Sequence, residues 1–255
     1  MAAALVNARE VASEAGGLAF LTARAFAGLF KPPYEIRLWT LQMEQIGVRS
    51  LGVAAITTVF TGMVLALQTA FSLPGLGIKY YIGAVVSKSL VRELGPVLTA
   101  LIVGGRIGSG MTAELGTMKV TEQIDALRSM AADPVKKLVV PKLAATLVML
   151  PALTLIGNAL GILGGLVVST FNLDLAPGLY YNDVVANLRL GDLASGTFKS
   201  FFFAYFIAIV GCYNGLHATG GADGVGRATT NTVVLSSILV LISDFFLTKL
   251  FYLVT

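Results

Sequence analysis

Three stretches of the chain, residues 50–78, 143–173 and 200–222, contain no Asp, Glu, Lys or Arg. Each is longer than the roughly 20 helical residues that cross a hydrocarbon core of about 30 Å. In lipid every backbone amide must be satisfied inside the segment or within a closed barrel, so the choice is between helices and barrel strands. Barrel strands read as short alternating segments between turns, whereas these runs are long and uniformly apolar. Two further spans are predicted over 81–103 and 230–254, each carrying ionisable residues that need partners. With 56% hydrophobic and 13% charged residues and a mean hydropathy of +0.81, the chain is too apolar for a soluble domain. The expected architecture is an all-α membrane protein of about five transmembrane helices, in one domain over residues 1–255.

The first thirty residues do not follow a signal-peptide layout, because Arg9, Glu10 and Glu14 precede an apolar stretch that Arg24 interrupts. Residues 34–46 place Ile36, Trp39, Met43 and Ile46 on one helical stripe, with Arg37, Glu44 and Gln45 elsewhere. That pattern predicts an interfacial helix, entered through Lys31, Pro32 and Pro33, within an N-terminal region 1–47 that leads into a membrane core over 48–254. The basic residues then set the topology. Lys31, Arg37, Arg49, Arg106, Lys119, Arg128, Lys136, Lys137 and Lys142 fall on one side, against chiefly Lys79, Arg189 and Lys199 on the other. The positive-inside rule puts the first group in the cytoplasm, with a loop over 172–192 and the C-terminus outside. The net charge of +4 and pI near 9.2 are therefore topology signals rather than a nucleic-acid footprint.

Between the second and third spans the sequence returns to water over residues 106–141 with helix signals throughout. Val120, Ile124 and Leu127 recur at helical spacing, Thr121 is a candidate cap, Glu122 and Asp125 sit early and Arg128 late, which complements the helix dipole. Asp133 followed by Pro134 ends this helix and caps the next. An ordered, charged helix over 112–132 is thus predicted between two apolar spans.

Several chemistries are excluded. No G-x-x-x-x-G-K-[ST] loop is present to cradle nucleotide phosphates, so any ATP or magnesium must be bound by another chain. One His (His217) and one Cys (Cys212) cannot supply a hydrolase constellation, a disulfide or a histidine-rich metal site; both read as local packing groups. Lys88, Arg92 and Glu93 fall in the second span, where unpaired charge is costly, so they face a wet cavity, a partner helix, a phosphate or the headgroup layer. Asp244 is five residues from Lys249, a poor helical spacing, and is expected to contact another helix; Asn158 and Asn214 are expected to hydrogen-bond between helices. Gly104 with Gly108, Gly157 with Gly161 and Gly165, and Gly211 with Gly215 mark close-packing faces.

The run VRELGPVLTALIVGGRIGSGMTAELGTMKVTEQIDALRSMAADPVKKLVVPKLAA resembles the hallmark region of MlaE/YrbE-type permeases, and GRATTNTVVLSSILVLISDFFLT resembles the last span of the same family. The resemblance implies a non-catalytic permease subunit of an ABC transporter in the inner membrane of a diderm bacterium. Such a permease moves phospholipids between inner and outer membranes and maintains outer-membrane lipid asymmetry. It implies a homodimer working with cytoplasmic ATPase subunits, periplasmic MCE-domain lipid-binding proteins and often a STAS-domain protein. The charged helix becomes the coupling helix, with Glu114, Lys119, Glu122, Asp125 and Arg128 as its expected contacts to the ATPase. Leu65, Leu67, Phe71, Leu73 and Tyr81 are candidate acyl-chain contacts, with Lys88, Arg92 and Glu93 on the lipid path. The alternative within membranes is a related importer of sterols or other hydrophobic compounds; a membrane enzyme would need convergent polar residues at one depth, and the sequence offers no such cluster.

Overall fold

The computed structural model describes residues 2–32, 35–72 and 81–254, with side chains placed from 13 to 253 within those ranges. All its described regular structure is helical: α1 (Ala2–Leu29), α2 (Ile36–Met43), α3 (Arg49–Ser72), α4 (Ile82–Ser89), α5 (Gly95–Val120), α6 (Gln123–Ser129), α7 (Val140–Phe171), α8 (Pro177–Asn187), α9 (Leu190–Leu216) and α10 (Gly221–Val254). One-turn π segments at Glu44–Val48, Leu90–Leu94 and Val135–Val139 join α2 to α3, α4 to α5, and lead into α7. Five helical stretches are long and apolar enough to cross a membrane: Ile36–Ser72, Ile82–Val120, Val135–Phe171, Leu190–Leu216 and Gly221–Leu253. The five spans read from hydropathy are therefore present; the first, third, fourth and fifth begin earlier in the chain than expected, and the second runs on past residue 103 to Val120.

The differences have local causes. The stripe expected to lie at the interface over 34–46 is carried by α2, which runs into α3 through its π turn; nothing between Ile36 and Val48 breaks a helix, and the wider turn absorbs the change of face. The helix expected over 112–132 is instead the end of α5 followed by α6. Glu122 between them adopts a left-handed conformation, φ 61°. Thr121 does not cap: its hydroxyl donates back to the Thr117 carbonyl at 2.8 Å. Asp133 does cap the next helix as expected, its Oδ1 accepting the Val135 N–H at 2.9 Å beside Pro134. The stretch 172–192, expected as a loop, contains α8, opened by Pro177 and burying Tyr180 and Val184 one turn apart.

The chain forms two compact units. The first contains Met1–Met43, Gly105–Leu147 and Tyr205–Ile238. Here α5, α9 and α10 are tied by the buried Thr112 hydroxyl, which lies 2.9 Å from the Gly211 carbonyl and 2.8 Å from the Thr232 hydroxyl. Asn214 donates to Thr232 at 2.9 Å, the interhelical bond expected of it. Along α1, Thr22 meets Tyr205 through a 3.0 Å hydrogen bond and Arg24 pairs with Asp133 at 2.9 Å. Cys212 is fully buried, and the exposed His217 ring, just past the end of α9, sits 2.8 Å from the Tyr213 carbonyl and against the Tyr213 ring.

The second unit contains Glu44–Gly104, Val148–Ala204 and Leu239–Thr255. Its core gathers Ala66, Ile82, Val86, Leu90, Val168, Leu173, Leu175, Tyr180 and Val184. The glycines of α7 let α3 approach: a Cβ at Gly161 would lie 2.8 Å from the Thr58 carbonyl, and one at Gly62 would fall on the Gly161 backbone. Among the described residues Asn158 makes no hydrogen bond to another helix, and its Oδ1 is buried beside Gly95 without a partner. From α8, Asp183 accepts the Ala84 N–H at 2.7 Å, satisfying an orphan amide in the first turn of α4. The Tyr180 phenol donates to the Ile162 carbonyl at 3.1 Å; burial and then the Asp183 charge hold it well above the usual tyrosine pKa.

Candidate functional site

Two charged constellations, one in each unit, collect most of the residues singled out in the sequence. In the first unit α6 is fastened to the end of α5. Lys119 Nζ donates to Asp125 Oδ2 at 2.8 Å, and Arg128 donates to Asp125 Oδ1 at 3.0 Å. The hydrogen bond from Lys119, reinforced by both cations, holds the Asp125 carboxyl below the usual carboxylate range even though the group is solvated. Ile124 on the opposite side is fully buried, so α6 is seated by one apolar residue and clamped by one ion triplet. Its C-terminus closes with the Ala131 N–H on the Arg128 carbonyl at 3.0 Å and the Ala132 N–H on the Leu127 carbonyl at 3.1 Å, with Ala131 left-handed at φ 56°. Glu122 is exposed, and so is much of Arg128. Glu114 is placed differently from Glu122: its carboxylate reaches Lys142 at 2.6 Å, and Lys142, 2% exposed, also reaches Gln42 at 3.3 Å. Glu114 thus ties α5 to α7 while its side chain stays 47% exposed. Lys142 gave no sign of this in the sequence beyond being a lysine at the edge of an apolar run.

In the second unit Arg92 and Glu93 diverge around the helix, as adjacent residues must. Arg92 pairs with Asp192 at 3.4 Å and lies 5.1 Å over the Tyr252 ring. Glu93 meets Lys199 through a short ion pair and accepts from Thr248 at 3.1 Å. Lys199 also donates to Thr248 at 2.6 Å and lies 3.0 Å from Asp244 in a charge contact. Lys199, expected in an outside connection, has its side chain 2% exposed inside α9 and is the hub of this network. Two carboxylates, one from the second span and one from the fifth, therefore share one buried ammonium, which is how charge is tolerated among apolar helices. Asp244 meets another helix as expected, the partner being Lys199 rather than Lys249.

The apolar candidates separate by exposure. Leu65 and Leu67 are half-buried and pack against the core of their unit, whereas Phe71 and Tyr81 are 74% and 60% exposed. Leu73 lies outside the described residues. Lys88 is half-buried and lines a cleft with Arg92, Arg189 and Asp192. Among the described residues no group of three His, Cys, Asp or Glu is arranged to hold a metal ion.

Long apolar helices with ion pairs sequestered between them define a multi-pass α-helical membrane protein. The Permease MlaE family model matches residues 39–250, and the chain belongs to that family. It is 43% identical over 241 residues to a probable ABC transporter permease protein of Rickettsia typhi, covering 94% of this chain and 93% of that one. It is similar, at 37% identity over 212 residues and 83% and 81% coverage, to the intermembrane phospholipid transport system permease protein MlaE of Haemophilus influenzae. The chloroplastic protein trigalactosyldiacylglycerol 1 of Arabidopsis thaliana is 38% identical over 211 residues, covering 83% of this chain and 60% of its own length.

Proposed function

We propose that the chain is the inner-membrane permease subunit of an ABC transporter that moves phospholipids between the two membranes of a diderm bacterium. The observation that carries this reading is the similarity, over most of both chains, to the Haemophilus phospholipid permease, combined with a charged helix, α6, fastened at the end of a membrane span. The chain itself does no chemistry; ATP and magnesium belong to partner ATPase subunits. Two copies pair as a homodimer, with an MCE-domain lipid carrier outside and, in some systems, a STAS-domain protein on the ATPase. The face bearing Lys119, Arg128, Lys136 and Lys137 is cytoplasmic, in keeping with the bias of basic residues. There Glu122 and Arg128 meet the ATPase, and closure of the nucleotide sites is transmitted through the Lys119–Asp125 clamp into α5. The Glu93–Lys199–Asp244 network lies along the lipid path, and Phe71 and Tyr81 touch acyl chains.

The test is transfer of labelled phospholipid between donor and acceptor vesicles by the reconstituted complex, with mass spectrometry of the lipid that copurifies. ATP-dependent transfer and copurified glycerophospholipid support the reading. Transfer indifferent to nucleotide, or sterol as the bound lipid, overturns it.

A further inference from the structure

A cleft of about 310 Å³ in the second unit is lined by three cations, Lys88, Arg92 and Arg189, and one carboxylate, Asp192. Asp192 is 8% exposed and fully engaged: Oδ1 holds Arg92 at 3.4 Å while Oδ2 accepts the Arg189 backbone N–H at 3.0 Å. Ser195, one turn along, donates to the Asp192 carbonyl at 2.9 Å and so fixes the carboxylate's own turn. The Tyr252 ring also contacts the Arg92 guanidinium, which lies 5.1 Å over its centroid. The side chains of Lys88 and Arg189 have no ion pair or hydrogen bond among the described residues. Arg92 is thus pre-oriented by two neighbours, and two further positive charges face the same space uncompensated. Arg189 immediately precedes and Asp192 opens the Leu190–Leu216 span, and Lys88 is about 9 Å, six helical residues, from the start of Ile82–Val120, so the cleft lies toward one end of both apolar stretches. A planar guanidinium held rigid beside a mobile ammonium suits the two non-bridging oxygens of a phosphodiester.

We propose that this cleft binds the phosphodiester of a glycerophospholipid headgroup, with Lys88 and Arg189 supplying the charge and Arg92 the orientation. The proposal rests on the phospholipid reading above and adds the residues that recognise the phosphate. The test is native mass spectrometry of the detergent-purified full chain given dioleoyl phosphatidylglycerol, dioleoylglycerol, or dioleoyl phosphatidylglycerol with millimolar inorganic phosphate. The wild-type protein retains the phospholipid over the diacylglycerol, and K88Q/R189Q loses that preference by about tenfold, the effect of removing one or two charge-assisted contacts. K88R/R189K, which keeps the charges, retains it. R189Q alone, at an exposed position, carries the comparison if the double variant does not fold. Equal retention of both lipids by the wild type, or an unchanged preference in the glutamine variants, overturns the site. Displacement of the lipid by inorganic phosphate shows a free-anion site and overturns the lipid assignment. ATP-driven transfer surviving any of these results leaves the transporter reading standing, so the two fail separately.

Discussion

Lys199 holds two carboxylates and a hydroxyl from a position 2% exposed, so its removal leaves Glu93 and Asp244 facing each other without their cation. Breaking a buried pair from one side costs several kcal/mol; because Glu93 is 37% and Asp244 21% exposed, Lys199→Ala is expected to cost about 3 kcal/mol in thermal unfolding in detergent. Lys119→Ala, at a solvated pair, is expected to shift the same unfolding midpoint far less than Lys199→Ala. The Asp125 carboxyl, held down by Lys119, has the opposite pH signature from a buried acid. Its contribution is complete above the unfolded value of about 3.9 and is lost only as pH falls through the lower folded value. Hydrogen exchange of the 123–129 amides, corrected for intrinsic rate, should therefore be flat from pH 7 to about 5. A rise in exchange over that range contradicts the clamp. At this scale the sequence was legible where a charge stood inside an apolar run, as with Arg92, Glu93 and Asp244. It was illegible where a lysine stood at the run's edge, because Lys142 and Lys199 read equally well as interfacial or buried until the opposing carboxylate is placed.

Helix existence followed from hydropathy because a span must be continuous in hydrogen bonding, whereas helix boundaries depended on single backbone angles that hydropathy does not encode. Glu122 and Ala131, both left-handed, are what make α6 a seven-residue element rather than part of a longer helix. Ala131 takes the position that glycine fills most often, so Ala131→Gly is expected to stabilise the α6 closure by about 1 kcal/mol, read by thermal unfolding. The glycine spacing 157, 161, 165 announced a close helix contact but not its partner, which the structure gives as Thr58 and Gly62 of α3. Gly62→Val is expected to force α3 from α7 at a cost of about 3 kcal/mol, while Gly16→Ala, with open space around it in α1, is neutral or stabilising. Unfolding midpoints of the two variants that do not differ contradict the packing of α3 on α7. α8 escaped the sequence reading because it is short and polar enough to pass for loop; Pro177 and the Tyr180–Val184 pair were its only signals.

For the whole molecule the proposed orientation and coupling stand together. A cysteine placed at Glu122 should react with a membrane-impermeant maleimide only from the cytoplasm, and one at the exposed Tyr181 only from the opposite side; the native Cys212 is buried and silent. The family was legible because the run that resembles it is long and continuous, and the family model matches residues 39–250. The central claim is that α6 receives work from an ATPase this chain does not contain. It is tested most directly by measuring ATP-driven phospholipid transfer in proteoliposomes carrying the assembled complex with either wild-type permease or E122K/D125K. ATP-dependent transfer is expected for the wild type, with loss of both ATPase association and transfer for the charge-reversed variant. Transfer by E122K/D125K at the wild-type rate, or ATP hydrolysis by the purified chain alone, would contradict it.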